Sequence, residues 1–593
     1  MGYRPMTAAF RWDLSIELRS PFLIPGPSVN ATLSDARPAR GAGGDPIIPG
    51  TLIRGLFRDA LESAGFHDAL TLFGAASGRD KSDHGPSGPD AADAAENRVV
   101  DNVPKRRSFD VPDLVADRPA QADRPAHFTR VALDSAGTGA AREGHLQFIE
   151  LAAPLGCVVR FTGAITGVAG KPDALLDSFR KASRLIRAIG SNKSSGFGEV
   201  VRIELSPAAP AVSLPAPVLL SDAVSGCRHI DIAFALDRPF LVNSAHTTAN
   251  EFKGAEVIPG AVLKGALAGW IDRLGITPDQ LARTRIGHAF PAPDGKKEPA
   301  ALPPLSLALC KDGKRSLLLD RLLADDLDGL PPDNWGPPIF ATDWKSGERE
   351  AILTHLGLSQ PSLRRDARTR TAIDGKTGTA AYDPETETGA LFSYSAVRPE
   401  GHRWVSRWLI ADDVDPAALA ALLELLGRGL PGIGKTRAVA MAASVTPVDA
   451  PPSEPLPGGL WAFTLQTDAA LGDGAFSDYR TYWHRLGFTL VRHFAEQRLA
   501  GGYQALRYPA KPDGYAPYVL TRAGSVFLVK GDAAALVAEL LRDGLPPVSP
   551  FDQRDWRAFP FGRENGFGAV RLNAVDHAAL LKGEELAKDG IHA

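Results

Sequence analysis

Three glycine-rich loops along the chain carry basic side chains, a combination suited to holding phosphate. They are Gly190-Ser191-Asn192-Lys193-Ser194-Ser195-Gly196-Phe197-Gly198, Gly432-Ile433-Gly434-Lys435-Thr436-Arg437 and Gly562-Arg563-Glu564-Asn565-Gly566-Phe567-Gly568. Glycine lets a ligand approach the backbone closely, and successive N–H groups in such a turn can line an anion site. In the first loop the candidate group is Lys193, Ser194 and Ser195, bounded by Gly196 and Gly198. Lys435 with Arg437, and Arg563 with Asn565, Gly566 and Gly568, are its counterparts. Arg54 and Lys264 form a second repeated basic position, each four residues after the Gly of an Ile-Pro-Gly triplet. Contacts of this kind fix the register of a nucleic acid without reading its bases.

Residues 429–436 also spell the nucleotide-binding pattern GxxxxGK[ST]. That chemistry needs a strand before the loop and a helix after it, so that the helix N-terminus faces the phosphates. Here the helical run PAALAALLELLGR precedes and the strand-like AVAMAASV follows, and Pro431 removes one N–H donor. The expectation is no functional ATP site and no nucleotide cofactor.

The elements that must position these loops recur. Each loop is left by a strand, and the runs DALLDSFRKASRLIRAI, PAALAALLELLGR and AAALVAELLRDG lie before the three loops at helical spacing, the last with a longer connection. Alternating strands, FRWDLSIEL, RHIDIAFAL and LWAFTLQTD, open three segments. Proline-rich linkers at 206–221 and 447–457 divide the chain into modules 1–205, 222–446 and 458–593. In the first two modules IPGTLIRGLFRDAL and VIPGAVLKGALAGW read as helices after Pro-Gly. The stretches 129–152 and 369–397 read as strand–turn–strand pairs that complete the sheets. Strand, helix, strands, helix, strand is the split βαβ order. The expected class is α+β: tandem ferredoxin-like (RRM-type, βαββαβ) domains with long insertions at 104–128 and 295–345. The third module shows no Ile-Pro-Gly helix, and its PYVLTRAGSVFLVKG reads as a hairpin. Residues 75–98 are polar and are expected to stay outside the packed core.

Bulk properties narrow the class. At 593 residues the chain exceeds one core. A formal net charge of −3 gives no support for nucleic-acid binding from bulk charge, so any basic surface is local. The three cysteines match no zinc spacing, which fits a reducing cytoplasm. No stretch approaches 18 apolar residues and the start has no apolar signal region, so neither a membrane span nor a signal peptide is expected.

The joint pattern resembles the CRISPR-associated RAMP superfamily. IPG-x-x-x-[RK]-G in the first helix is similar to the motif of the backbone subunits of type III CRISPR effector complexes. LFG at 72–74, TRVALD and SNKSSGFG follow in that family's order, and the third module joins through AGSVF, WRAFPF and GRENGFG. The resemblance implies a cytoplasmic ribonucleoprotein subunit: two fused backbone modules, plus a third module that is either a further RAMP domain or similar to the guide-tag-binding cap subunit. Its implied partners are a CRISPR guide RNA, complementary target RNA and other type III effector subunits. Arg54, Lys264 and the loop residues above would touch RNA. The family's backbone subunits carry an RNA-cutting aspartate about a dozen residues before the Ile-Pro-Gly triplet. Asp35, thirteen residues before Ile48 and close to Arg37 and Arg40, takes that place, with Mg2+ or Mn2+ as the metal and its further ligands unknown. The corresponding stretch of the second module has only Glu251 and Glu256. The other readings are a non-catalytic RAMP scaffold and a guide-processing ribonuclease, for which His246 is the nearest acid–base candidate.

Overall fold

A computed structural model of the chain describes residues 8–26, 35–41, 44–66, 72–73, 109–117, 126–133, 141–169, 171–208, 227–248, 251–296, 298–313, 315–324, 335–371, 382–383, 388–389, 391–448, 454–472, 478–501, 518–531, 534–549 and 559–586. The stretch 75–98, residues 209–221 of the first expected linker and residues 449–453 of the second lie outside these residues. The class is mixed α+β, and the chain forms two compact units. One is Met1–Leu214 with Ala367–Ser393; the other is Pro215–Asp366 with Tyr394–Ala593, so the third expected module shares a unit with the second apart from Ala367–Ser393.

In the first unit the strand Ala8–Arg19 alternates, and its inward residues Trp12, Leu14, Ile16 and Leu18 are all buried. It pairs antiparallel with Val158–Ala169 on one side and Val200–Pro207 on the other, and Leu114–Ala116 adds beyond Val158–Ala169. Two helices cover this sheet. Gly50–Ser63 buries Ile53, Phe57, Ala60 and Leu61, a helical spacing that faces one side inward. Pro172–Ser183 buries Leu175, Leu176, Phe179 and Ala182, with Asp173 in its first turn and Arg180 and Lys181 in its last, as the helix dipole favours. Phe179 joins them: its ring lies 5.4 Å from Trp12, 5.0 Å from Phe57 and 5.6 Å from Phe109. Aromatic pairs of this geometry contribute roughly 0.5–1.5 kcal/mol each beyond area burial.

The same strand order recurs twice. In the second module it is Arg285–Ile286, His402–Leu409, His229–Leu236, Ala438–Pro447, with Leu430–Ile433 outermost. In the third it is Thr489–Phe494, Val526–Lys530, Leu460–Leu465, Val570–Leu572. In each, the opening strand lies between the third and the fourth, and the second is placed beyond the third.

The inner strands differ from the sequence reading. Ala126–Leu133 and Ala141–Leu151 form a separate two-stranded sheet and do not enter the main one. The third main strand is Val158–Ala169, which the Thr-Gly turn signal nearby had overshadowed. At the two ends of the stretch 369–397, the strands Arg365–Thr371 and Leu391–Val397 likewise stay out of the second main sheet, where His402–Leu409 stands instead. In the third module Tyr518–Thr521 and Val526–Lys530 are divided between two sheets rather than forming one hairpin. That module also has its first helix, Tyr479–Arg485. Asp478 caps it by accepting from the Thr481 N–H at 3.0 Å, and it buries Tyr482 and Trp483 without any Ile-Pro-Gly signal.

The described residues of the insertion at 295–345 contribute three strands, Ile339–Phe340, Leu307–Asp312 and Arg315–Asp320, to a four-stranded sheet completed by the late strand Glu584–Leu586. Its core is Leu307, Leu309, Leu318, Trp344 and Leu586.

Candidate nucleic-acid interface

The first and third glycine loops are one structure built twice. Each turns through a 3₁₀ segment, Lys193–Ser195 or Arg563–Asn565. Ser195 N–H donates to Asn192 C=O at 2.9 Å, as Asn565 N–H does to Gly562 C=O at 3.0 Å. Gly198 N–H donates to Pro21 C=O, and Gly568 N–H to Asp468 C=O, each just beyond an opening strand. Gly198 and Gly568 both have positive φ, and a Cβ on them would lie 2.0 Å from Ile189 O and 2.5 Å from Leu545 O. The last glycine is therefore required by the fold itself, not by a ligand. What the first loop offers outward is Lys193, Ser194, Ser195 and Gly196, all exposed. Arg130 holds the loop from the side, donating to Asn192 Oδ1 at 2.8 Å.

The second loop is a turn between the antiparallel strands Leu430–Ile433 and Ala438–Pro447, preceded by the helix Pro416–Arg428. No helix N-terminus follows Lys435, and its own N–H is taken by Leu241 C=O at 2.7 Å. The Lys435 ammonium sits 3.3 Å from the Phe252 ring centre, and burial lowers its pKa from the ordinary value. Arg437 has φ 53°, an uncommon conformation for a side chain of that size. The GxxxxGK[ST] match therefore lacks the strand–loop–helix frame that phosphate cradling needs.

The third loop faces inward. Lys264 is fully buried, and its Nζ donates to Ala282 C=O at 2.9 Å, Thr284 C=O at 2.8 Å and Glu564 C=O at 3.2 Å. An ammonium has three donors, and three carbonyls meet them here. This corrects the expectation that Lys264 contacts RNA: the side chain ties the second module's helix Gly260–Leu267 to the third module's loop. Asn565, Gly566 and Gly568 are buried at the same junction and offer nothing outward. A Cβ on Gly260 would lie 1.9 Å from Ile286 O and 2.6 Å from Asn565 O. His288 completes the joint. Its Nδ1 accepts from Gly260 N–H at 3.2 Å, and its ring meets Phe567 edge-on at 4.7 Å. Burial holds the His288 pKa down at about 4. Arg563 is half-buried, and its Nε has no hydrogen-bond partner among the described residues. Sequence reasoning missed His288: a lone histidine in RIGHAF carries no ligand spacing.

In the first module Gly50 starts its helix with the N–H donated to Asp113 Oδ1 at 3.0 Å, and Arg54 is half-buried. Asp35 is exposed at its backbone turn and is tied to the hairpin: Phe148 N–H donates to Asp35 Oδ2 at 2.7 Å, and Asp35 N–H to Phe148 C=O at 2.8 Å. Its other carboxylate oxygen makes no hydrogen bond or ion pair among the described residues. Arg37 and Arg40 do not flank Asp35 as a pair; both reach Glu150, at 3.4 and 2.9 Å. Among the described residues no three His, Cys, Asp or Glu cluster to form a metal site. A single free carboxylate oxygen still suits Mg2+, which commonly takes one carboxylate with the rest of its shell from substrate phosphate and water. The side chain of His246 lies outside the described residues.

No protein-family profile matches the chain. No curated protein matches it. Solved structures do align. One chain of the Type III-B Cmr-beta complex bound to cognate target RNA matches at 19% identity and TM-score 0.23, over 34% of this chain and 62% of its own. One from the same complex with cognate target RNA and AMPPnP matches at 13% identity and TM-score 0.31, over 58% and 99%. A chain of a Type IV-B CRISPR complex matches at 16% identity and TM-score 0.21, over 35% and 94%. The alignment thus spans under two thirds of the first of these chains.

Two outcomes follow from the Lys264–His288 joint. Lys264→Met removes three hydrogen bonds from a charged donor and leaves three buried carbonyls, so it should lower stability by about 3 kcal/mol in urea unfolding. No change would show that the ammonium contributes nothing. His288 is folded with its pKa at about 4, below the free value, so the native state binds fewer protons than the unfolded one between those values. Stability should hold above pH 6.5 and fall towards pH 4 by up to about 1.4 kcal/mol per pH unit, because protonating Nδ1 abolishes its acceptance from Gly260. His288→Gln should flatten that part of the profile.

Proposed function

We propose that the chain is a guide-RNA-binding subunit of a type III CRISPR effector ribonucleoprotein of the cytoplasm, built from three ferredoxin-like RAMP domains. The observation that carries this reading is the exposed loop of the first module, where Lys193, Ser194 and Ser195 face outward on a turn whose glycines are fixed by the fold. Such a surface holds a phosphate through a cation and backbone donors, and it reads no base. The recurrence of one strand order three times supports the RAMP assignment, since the split βαβ unit is the domain this superfamily uses. Arg54 would add a cation within the first unit, and Lys435 with Arg437 would do so within the second. Guide RNA, complementary target RNA and further effector subunits are the proposed partners.

Target cleavage is assigned to Asp35. With Oδ2 engaged by Phe148 N–H, the free oxygen would hold Mg2+ or Mn2+ or take a proton from a ribose 2′-OH. A bound ion supplies positive charge at the phosphate. A second reading, a scaffold without chemistry, is favoured by that same Phe148 contact, which gives Asp35 a structural task.

The full chain, reconstituted with guide and partner subunits, should retain CRISPR-derived RNA on purification. Lys193→Ala should lower the slope of log affinity against log salt by about 1 for all sequences alike. Asp35→Ala should leave RNA retention intact and reduce cutting of a complementary labelled RNA by at least about a hundredfold. RNA of random cellular origin would overturn the guide reading. Cutting that survives Asp35→Ala would take the reaction away from Asp35, and cutting absent in the wild type with either metal would leave the scaffold.

A further inference from the structure

Inside the second unit, the second module's sheet and the third module's loop enclose a cavity of about 480 Å³. Arg285, Arg407, Arg542, Arg563 and Arg571 line it, against three acids, Asp231, Asp543 and Glu298. Five cations less three anions leave a surplus of two. The acids are also shared unevenly. Asp543 serves both Arg285 and Arg542, each at 2.8 Å, and Asp231 takes Arg407 at 2.8 Å. Glu298 is mostly exposed and only 4.0 Å from Arg571. Arg563 makes no ion pair among the described residues, its Nε is buried without a hydrogen bond, and burial followed by the Arg285 charge lowers its pKa. The charges of Glu564 and Asp543 offset part of this, but a half-buried guanidinium with no direct ion pair is costly, and an incoming anion would relieve that cost. Phe290, His288 and Phe567 give the cavity an apolar wall, and His288 is uncharged at neutral pH. The volume lies in the range of small-ligand sites, which are typically apolar with a few convergent polar groups.

We propose that this cavity binds a phosphorylated nucleotide, with its phosphate on Arg563 and its base along Phe290 and Phe567. Arg563 presents a fork of donors that matches two phosphate oxygens at once. Arg571 stands on the same wall as a second cation. The site is separate from the GxxxxGK[ST] turn and from the exposed loop of the first module. It does not depend on the RNA being a guide: either a free nucleotide or the phosphorylated end of a strand has the required chemistry.

Calorimetric titration of the full chain tests it with three probes: adenosine 5′-monophosphate, a 5′-phosphorylated five-nucleotide RNA, and adenosine. At least one phosphorylated probe should bind saturably and at least tenfold more tightly than adenosine. Arg563→Met should weaken it tenfold or more, and Glu298→Gln, which removes an exposed acid from the rim, should tighten it about threefold. Preference for the monophosphate assigns a free nucleotide, and preference for the five-nucleotide RNA assigns a strand end; both uphold the site. Equal affinity for adenosine, or no saturable binding of any probe, overturns it. If Arg563→Met fails to fold, the Glu298→Gln result decides alone, and an unchanged affinity there overturns the proposal.

Discussion

One buried ammonium sets the layout of the second unit. Lys264 spends its three donors on Ala282, Thr284 and Glu564, so the helix Gly260–Leu267, the C-terminal end of the short helix Pro278–Arg283 and a loop some three hundred residues later in the chain share one point charge. Arginine could not take its place: the guanidinium is a planar fork, whereas these acceptors converge on a single compact nitrogen. Burying such a charge is tolerable because every donor is satisfied, and removing any acceptor would leave the others facing an uncompensated cation. Around this point the contacts are backbone against backbone. Gly260 admits Ile286 and Asn565, and Gly566 admits His288, because none of these places has room for a Cβ.

The same loop geometry therefore has two fates in one chain. On the third module it is a structural plug, spent on the helix Gly260–Leu267. On the first module the matching turn keeps its four hydrogen-bonded anchors but leaves Lys193 to Gly196 outside. Burial, not sequence, separates the joint from the exposed loop. The cavity beside the plug arises from the same packing: closing the loop on the sheet gathers arginines from strands that a flat surface would have kept solvated. A net charge of −3 is therefore compatible with a cationic cavity, since local surplus, not bulk charge, sets the field at a site.

Much of the architecture was legible in the sequence. Alternation in FRWDLSIEL and RHIDIAFAL gave the central strands, because one face is buried and period two leaves no other register. The helix read from PAALAALLELLGR and the strand read from AVAMAASV, before and after Lys435, both stand in the structure. The hairpins misled for a physical reason: strand propensity and a Thr-Gly turn mark a hairpin, but nothing local says which sheet it joins. The third module's first helix was missed because Asp478 and an aromatic face, rather than Pro-Gly, define it. Arg54 and Lys264 were equated because their spacing is identical, yet one is half-buried in its own module and the other is sealed by a partner that only tertiary structure supplies. The candidate site was thus half readable. Loop positions followed from local sequence, whereas exposure depended on contacts hundreds of residues apart.

The division between plug and binding surface is tested most directly by ultraviolet crosslinking of RNA to the intact chain, followed by mass spectrometry of the nucleotide-bearing peptides. Crosslinks should fall on the peptide containing Lys193, Ser194, Ser195 and Gly196, and should be absent from Gly260–Leu267 and from Asn565 to Gly568. Crosslinks concentrated on the Lys264 helix, with none at 190–198, would contradict the account.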